Sequence, residues 1–321
     1  MALQAWNEVT KEYPLHNALE QLCGQIPFTH LSVTLTLHDT LTSYPFSGSL
    51  LHGALINALN CTDPSLCQQL LSEQNQSHPR AYFFVAPFIA GGMARKDQQL
   101  RFELKLFGDA CAHLNTILQS VFVMQKLGLG KNSTTFSIGE VVLHSQGRTL
   151  TLFKRGEQDE LLFAQQTTLA DHLYRPYPVT ASRWRAFIQL TTPVSLVRNQ
   201  RPIHAAPTLS TWLFFIANRL NWLCDHCLPE NAFPAAINTL LADSTAQDVP
   251  PNNDQTWPFT QRRQSASNDR NHALKGLLGT FSYPVDEQQL SWLQLGSALQ
   301  IGKKTNYGQG AYQLDYGLLR V

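Results

Sequence analysis

The chain has no excess charge of either sign: 24 lysines and arginines stand against 23 aspartates and glutamates, a formal +1. That balance excludes a uniformly basic, histone-like nucleic-acid binder, so any RNA-binding surface must be assembled by clustering a few cations. No stretch approaches the roughly 20 apolar residues that span a bilayer. The N-terminus lacks the charged start and apolar core of a secretion signal. The expectation is a cytoplasmic protein with no membrane partner. Cysteine is also scarce. Cys23, Cys61, Cys67, Cys111, Cys224 and Cys227 are too few in 321 residues for a disulfide framework and read as reduced thiols. Cys224-Asp-His-Cys227 has metal-ligand chemistry, but structural zinc needs two close pairs, and Cys61 and Cys67 are irregularly spaced. No metal is expected.

Against these absences stands a hydrophobic content of 43%, enough to bury a substantial core, in a chain long enough for about two domains. Thr29 to Leu37 alternates and is rich in β-branched residues, which predicts a strand followed by a turn at Tyr44-Pro-Phe-Ser-Gly48. Ser49 to Leu59 carries Leu51, Leu55 and Ala58 at helical spacing, with Ser49 as N-cap. Strands at Tyr82 to Phe88 and Leu100 to Phe107 follow, then a helix from Ala110 to Leu127 stopped by Gly128. Thr134 to Leu143 and Thr149 to Lys154 read as a hairpin.

After a connector at 166 to 182 the pattern restarts. A strand is expected at Trp184 to Leu196, a helix at Thr208 to Cys227, and a shorter helix at Ala232 to Leu241. Asp243 to Asn271 is polar and should be a mobile loop at least in part. Leu277 to Tyr283 predicts a strand, Glu287 to Leu299 a helix, and Ala311 to Leu319 a last strand. The fold class is α+β, and the element order fits two tandem ferredoxin-like domains, 1–170 and 171–321, each a helix-backed antiparallel sheet. Periodicity alone admits other α+β folds as well.

Between the last helix and strand lies Gln300-Ile-Gly-Lys-Lys-Thr-Asn-Tyr-Gly-Gln-Gly310. Gly302, Gly308 and Gly310 can take backbone angles closed to other residues and let a nucleic-acid backbone come close. Successive N–H groups in such a turn form an anion-binding concavity, to which Lys303 and Lys304 add charge and Tyr307 a stacking surface. It is not a phosphate-binding Walker loop, since its lysines follow the first glycine and a strand follows the loop. A plain glycine-rich turn with solvated lysines remains the alternative on spacing alone.

Four segments in order resemble the CRISPR-associated precursor-RNA-processing endoribonucleases of the RAMP superfamily. They are Tyr44-Pro-Phe-Ser-Gly-Ser-Leu-Leu-His-Gly-Ala-Leu55; Leu100-Arg-Phe-Glu-Leu-Lys-Leu-Phe-Gly108 with Gly128-Leu-Gly-Lys131; Leu190-Thr-Thr-Pro-Val-Ser-Leu196; and His272-Ala-Leu-Lys-Gly-Leu-Leu-Gly279 leading into the glycine loop. The resemblance implies two ferredoxin-like domains with CRISPR repeat RNA lying across their basic face. It implies metal-independent cleavage by the ribose 2′-OH, leaving a 2′,3′-cyclic phosphate and a 5′-OH, without cofactor. It implies a monomer or homodimer that acts alone or hands its product, the crRNA, to other effector subunits. A RAMP subunit that grips guide RNA without cutting it, and a scaffold protein with no RNA affinity, are the rival readings.

Within that frame the chemistry needs a base for the 2′-OH, charge for the phosphorane and an acid for the leaving oxygen. His52, at the margin of the first helix, is the first choice for acid or base. His38 and Tyr44 flank the turn after the first strand, and His272 follows the polar segment. Arg262, Arg263, Arg270 and Lys275 join Lys303 and Lys304 as candidate RNA contacts. Trp257 and Phe259 are aromatics that could stack on bases. Family members often carry His where Gln300 stands and Arg where His52 stands, which moves the search for the base from the loop to the first domain.

Overall fold

Strand β1 (Phe28–Leu37) alternates as its sequence demands, and Leu31, Val33, Leu35 and Leu37 are fully buried on one face. In this computed structural model the described residues are 14–71, 81–145, 148–157, 167–173, 183–228, 242, 248–263 and 272–318. Helix α1 (Pro14–Cys23) precedes β1. After it come the short β2 (Leu41–Thr42), α2 (Gly48–Thr62), α3 (Pro64–Leu71), β3 (Tyr82–Val85), the short β4 (Met93–Ala94), β5 (Gln99–Phe107), α4 (Leu114–Leu127), β6 (Phe136–Ser145) and β7 (Arg148–Lys154). The main sheet runs β3-β5-β1-β6-β7 and its neighbours pair antiparallel.

The second unit comprises β8 (Trp184–Val194), the small ribbon of β9 (Val197–Arg198) and β10 (Arg201–Pro202), α5 (Leu209–Cys227), β11 (Asn252–Arg263), β12 (His272–Val285), α6 (Glu287–Leu299) and β13 (Tyr312–Leu318). Its sheet runs β11-β12-β8-β13, again antiparallel. In each unit the four strands of a βαββαβ series lie in the spatial order second, third, first, fourth. That is the ferredoxin-like arrangement, with β7 added to the first sheet.

Several boundaries differ from those expected. Helix α2 begins at Gly48 with Ser47 as N-cap in place of Ser49, and the Ser47 hydroxyl donates to the Pro87 carbonyl. The helix expected from Ala110 starts as a tight turn over Gly108–His113 and becomes α-helical at Leu114. Strand β3 stops at Val85, two residues before Pro87, which has no N–H for a ladder. Within the polar segment expected to be a mobile loop at least in part, Asn252 to Arg263 is strand β11, and β12 begins at His272, five residues before the expected Leu277. The helix expected at Ala232 to Leu241, residues 243–247 and residues 264–271 lie outside the described residues.

The molecule is layered. Helices α2 and α4 cover the odd-numbered face of β1, forming a core with Leu31, Val33, Leu55, Ile117 and Leu118. The even-numbered face meets the second unit: Phe28, Phe83 and Phe107 join the core of Trp212, Ile216, Leu290, Trp292 and Phe281. Helices α5 and α6 are thus sandwiched between the two sheets. β12 serves both cores, since Leu274 is buried in the first and Leu277 in the second.

Candidate RNA-cleavage site at the seam

The glycine loop descends from α6 and lies along the outer edge of β3. Gln300, fully buried, donates through Nε2 to the Phe84 carbonyl at 2.6 Å and to the Gln309 carbonyl at 3.2 Å. Edge strands expose unpaired carbonyls, and here a side chain takes one up. Gln309 in turn donates to the Lys275 carbonyl at 3.2 Å, and the Lys304 ammonium donates to the Ala273 carbonyl at 2.6 Å, tying the loop to β12.

The three loop glycines all have positive φ. The space a Cβ would occupy is taken by the protein itself: the Ser195 carbonyl 2.4 Å from it at Gly302, Ala86 Cβ at 2.9 Å for Gly308, and the Ile301 carbonyl at 2.2 Å for Gly310. The close approach these glycines permit is therefore an approach of the loop to its own scaffold. Lys303 is exposed, and its backbone N–H donates to the Ser195 carbonyl at 2.9 Å.

Two buried cations brace the loop. Arg219, on α5, donates to the Gly302 carbonyl at 2.6 Å and lies 4.8 Å over the Phe83 ring. Lys105, on β5, donates to the carbonyls of Ser297 (3.2 Å) and Ala298 (3.0 Å) at the end of α6, where the helix dipole favours a cation. Burial lowers the Lys105 pKa to about 8 and the Arg219 pKa to about 9.

His52 meets this loop from the other unit. The N-terminus of α2 is pressed so close that a Cβ at Gly48 would overlap the Tyr307 carbonyl. One turn further on, the His52 ring is 4.4 Å from the Tyr307 ring, and its Nε2 is 3.1 Å from the Tyr82 hydroxyl on β3. Phe84 closes the pocket edge-on at 6.4 Å. The imidazole is half-buried and its orientation is set by a hydrogen bond and by ring packing. A positioned imidazole beside a basic, stacking-capable loop can exchange a proton with a bound ribose or a leaving oxygen.

The other expected residues are dispersed. His38 is exposed beyond the end of β1, seven residues from Leu31, which lies in the row of Leu104 and Phe84, so on the order of 20 Å along the strand from the loop. Tyr44 is exposed. His272 opens β12 opposite Arg263, and Arg262 and Lys275 are exposed on the same hairpin. Arg270 lies outside the described residues. Trp257 is 54% exposed, and Phe259 packs edge-on against Phe46 and Phe88. The Cys224 thiol is buried and pushed up to about 12 by burial, chiefly, so it is a protonated thiol at neutral pH.

Sequence reasoning did not find Tyr82, Lys105, Arg219 or Gln261. Gln261 holds both backbone groups of Phe46, with Oε1 accepting from N–H and Nε2 donating to the carbonyl, each at 2.9 Å. Only Lys105 left a signal: a lysine within the alternating run from Leu100 to Phe107 shares a strand face with Arg101 and Glu103.

Comparison with known proteins agrees with this layout. The family model described as CRISPR-associated endoribonuclease Cas6 matches residues 188–312, and a model of an N-terminal domain matches residues 62–167. A Cas6 product complex is 15% identical with a TM-score of 0.57, over 89% of this chain and 98% of that one. Cas6 of Thermus thermophilus is 15% identical with a TM-score of 0.53, over 90% and 98%. A partial Cas6-RT-Cas1-Cas2 complex is 16% identical with a TM-score of 0.57, over 92% of this chain and 47% of that one. No curated protein matches by sequence. The family model spans most of β8 to the start of β13, glycine loop included, and the likenesses in three dimensions carry the fold of both units; over residues 188–312 the chain is similar to the CRISPR-associated endoribonuclease Cas6 family.

Proposed function

We propose that the protein is a metal-independent endoribonuclease that cuts CRISPR repeat RNA at the seam between its two units. The observation that carries this reading is the convergence of His52 on the glycine loop, with Tyr82 holding the imidazole and Tyr307 against its face. The similarity of residues 188–312 to the Cas6 endoribonuclease family model supports the reaction class.

In the proposed reaction the ribose 2′-OH upstream of the cut loses its proton and attacks the adjacent phosphorus. The bond to the 5′-oxygen breaks, that oxygen gains a proton, and the products carry a 2′,3′-cyclic phosphate and a 5′-OH. His52 serves one of the two proton transfers. Lys303, exposed on the loop, faces the negative charge that builds on the phosphorane. Gln300 has both of its N–H donors occupied by carbonyls and acts by fixing the loop to β3.

The partner is repeat RNA, and the product passes to effector subunits. The test is incubation of the purified chain with repeat-containing RNA in excess EDTA, followed by analysis of the RNA ends. The reading expects a discrete cut with a cyclic phosphate on the 5′ fragment. RNA that is bound but never cut would favour a subunit that only grips guide RNA, and loss of all affinity at low salt would favour a scaffold.

A further inference from the structure

On the even-numbered face of the first sheet, across the sheet from α2 and His52, three imidazoles converge. Antiparallel register sets Lys105, His30 and His144 in one row across β5, β1 and β6. Glu103 and Ser32 form the next row, and Arg101 follows on β5. The His30 ring stacks on His144 at 4.5 Å and lies 5.8 Å from His172, which follows the first unit in a short turn. His30 Nε2 is 2.9 Å from a Glu103 carboxylate oxygen.

Ser32 Oγ lies 3.1 Å from Arg101 Nη2 and 2.8 Å from His144 Nε2. A guanidinium can only donate, so the serine oxygen accepts from Arg101; with its second lone pair and its own proton it can either accept from His144 Nε2 or donate to it, according to the protonation of that imidazole. Among the described residues His172 Nε2 is buried without a hydrogen-bond partner, and the remaining N–H groups of the exposed Arg101 make no bond.

The charged groups facing this cluster are few. From β5 come Arg101, Glu103 and Lys105; from β6 Glu140, whose neighbour on β7 is Lys154; and beside His172 stands Asp171. Lys105 is already committed to the end of α6. Five groups that carry or can accept positive charge thus surround one carboxylate in direct contact, Glu103. Unliganded, the fold resolves this by keeping the imidazoles neutral: burial, reinforced by Lys105, lowers His30 to about 4 and His172 to about 3, and burial lowers His144 too.

We propose that this face is a second anion site, in which a phosphate group is held by Arg101, His144 and His30. A phosphate there supplies the charge the imidazoles lack, so its binding draws protons onto them. The same linkage makes binding tighten as pH falls. The site stands on this geometry alone; that RNA backbone supplies the phosphate rests on the nuclease reading above.

Calorimetric titration of the full chain with inorganic phosphate, in two buffers of different ionisation enthalpy at two pH values, tests the site. Expected are net proton uptake, affinity up to about tenfold tighter per pH unit toward acid for each linked proton, and a weakening of about tenfold or more in both Arg101→Ala and His144→Gln. Arg101 is exposed, so its variant keeps the wild-type melting temperature and remains informative if His144→Gln unfolds. No binding of millimolar phosphate, binding without proton uptake, or binding that Arg101→Ala does not weaken would overturn the site. With repeat RNA, Arg101→Ala should lower the slope of log affinity against log salt by about one; an unchanged slope would overturn RNA as the source. Phosphate binding by a wild-type chain that cuts no RNA would sink the nuclease reading alone, and RNA cutting without phosphate binding would sink this proposal alone.

Discussion

At the residue scale the seam depends on atoms that are missing as much as on those present. Gly302 has φ of 82°, and a Cβ there would stand 2.4 Å from the Ser195 carbonyl. Gly302→Ala should therefore destabilise the chain by about 2 kcal/mol or more, from left-handed strain and overlap together. A chemical denaturation curve reads this directly, and an unchanged midpoint would mean that the loop is not pinned to Ser195 in solution. His52 differs in kind, because its neighbours orient the ring and leave it half-buried. Its candidacy was legible in the sequence from its place beside the stripe of Leu51, Leu55 and Ala58. Tyr82, the group that orients it, was not: within Tyr-Phe-Phe-Val nothing separates a hydroxyl that meets an imidazole from one that merely packs.

At the scale of elements, the hairpin of β11 and β12 ties the units together. Its end overhangs β8, and there Gln261 captures both backbone groups of Phe46 while Leu274 enters the first core. Gln261→Ala leaves a buried N–H and carbonyl without partners and should cost about 2–4 kcal/mol. Denaturant titration reads the loss, and a cost within error would show that solvent reaches Phe46. The same hairpin marks where sequence pattern failed. Asn252 to Pro258 of β11 is mostly exposed, so burial imprinted no two-residue period on it, and Pro258 reads as a breaker although an edge strand tolerates it. By contrast α5 and α6 each bury long apolar stretches, and β8 is covered on one face; their boundaries were read to within two residues. Helix α6 also begins with a capping box in which Asp286 and Gln289 each accept from the other's backbone N–H.

At the scale of the whole molecule, placing helices between two sheets buries ionisable groups that a single unit would expose. His30 normally titrates near 6.5 but only near 4 in the fold, and His172 near 3. Between those values the unfolded chain binds more protons than the folded one, so stability is present above pH 6.5 and falls as pH drops toward 4. For His30 alone the loss by pH 5 should be about 2 kcal/mol. Thermal melts from pH 7.5 to 5 should show a falling midpoint, less steep in His30→Gln; a flat profile would mean the imidazoles are already solvated. The central claim, however, concerns His52 and the loop across the seam. Its most direct test is single-turnover cleavage of repeat RNA in EDTA by wild-type and His52→Ala protein, with RNA affinity measured in parallel. A fall of about 10²–10⁴-fold in the cleavage rate with affinity within a few-fold of wild type is the expected result. Cleavage by His52→Ala at the wild-type rate would contradict it.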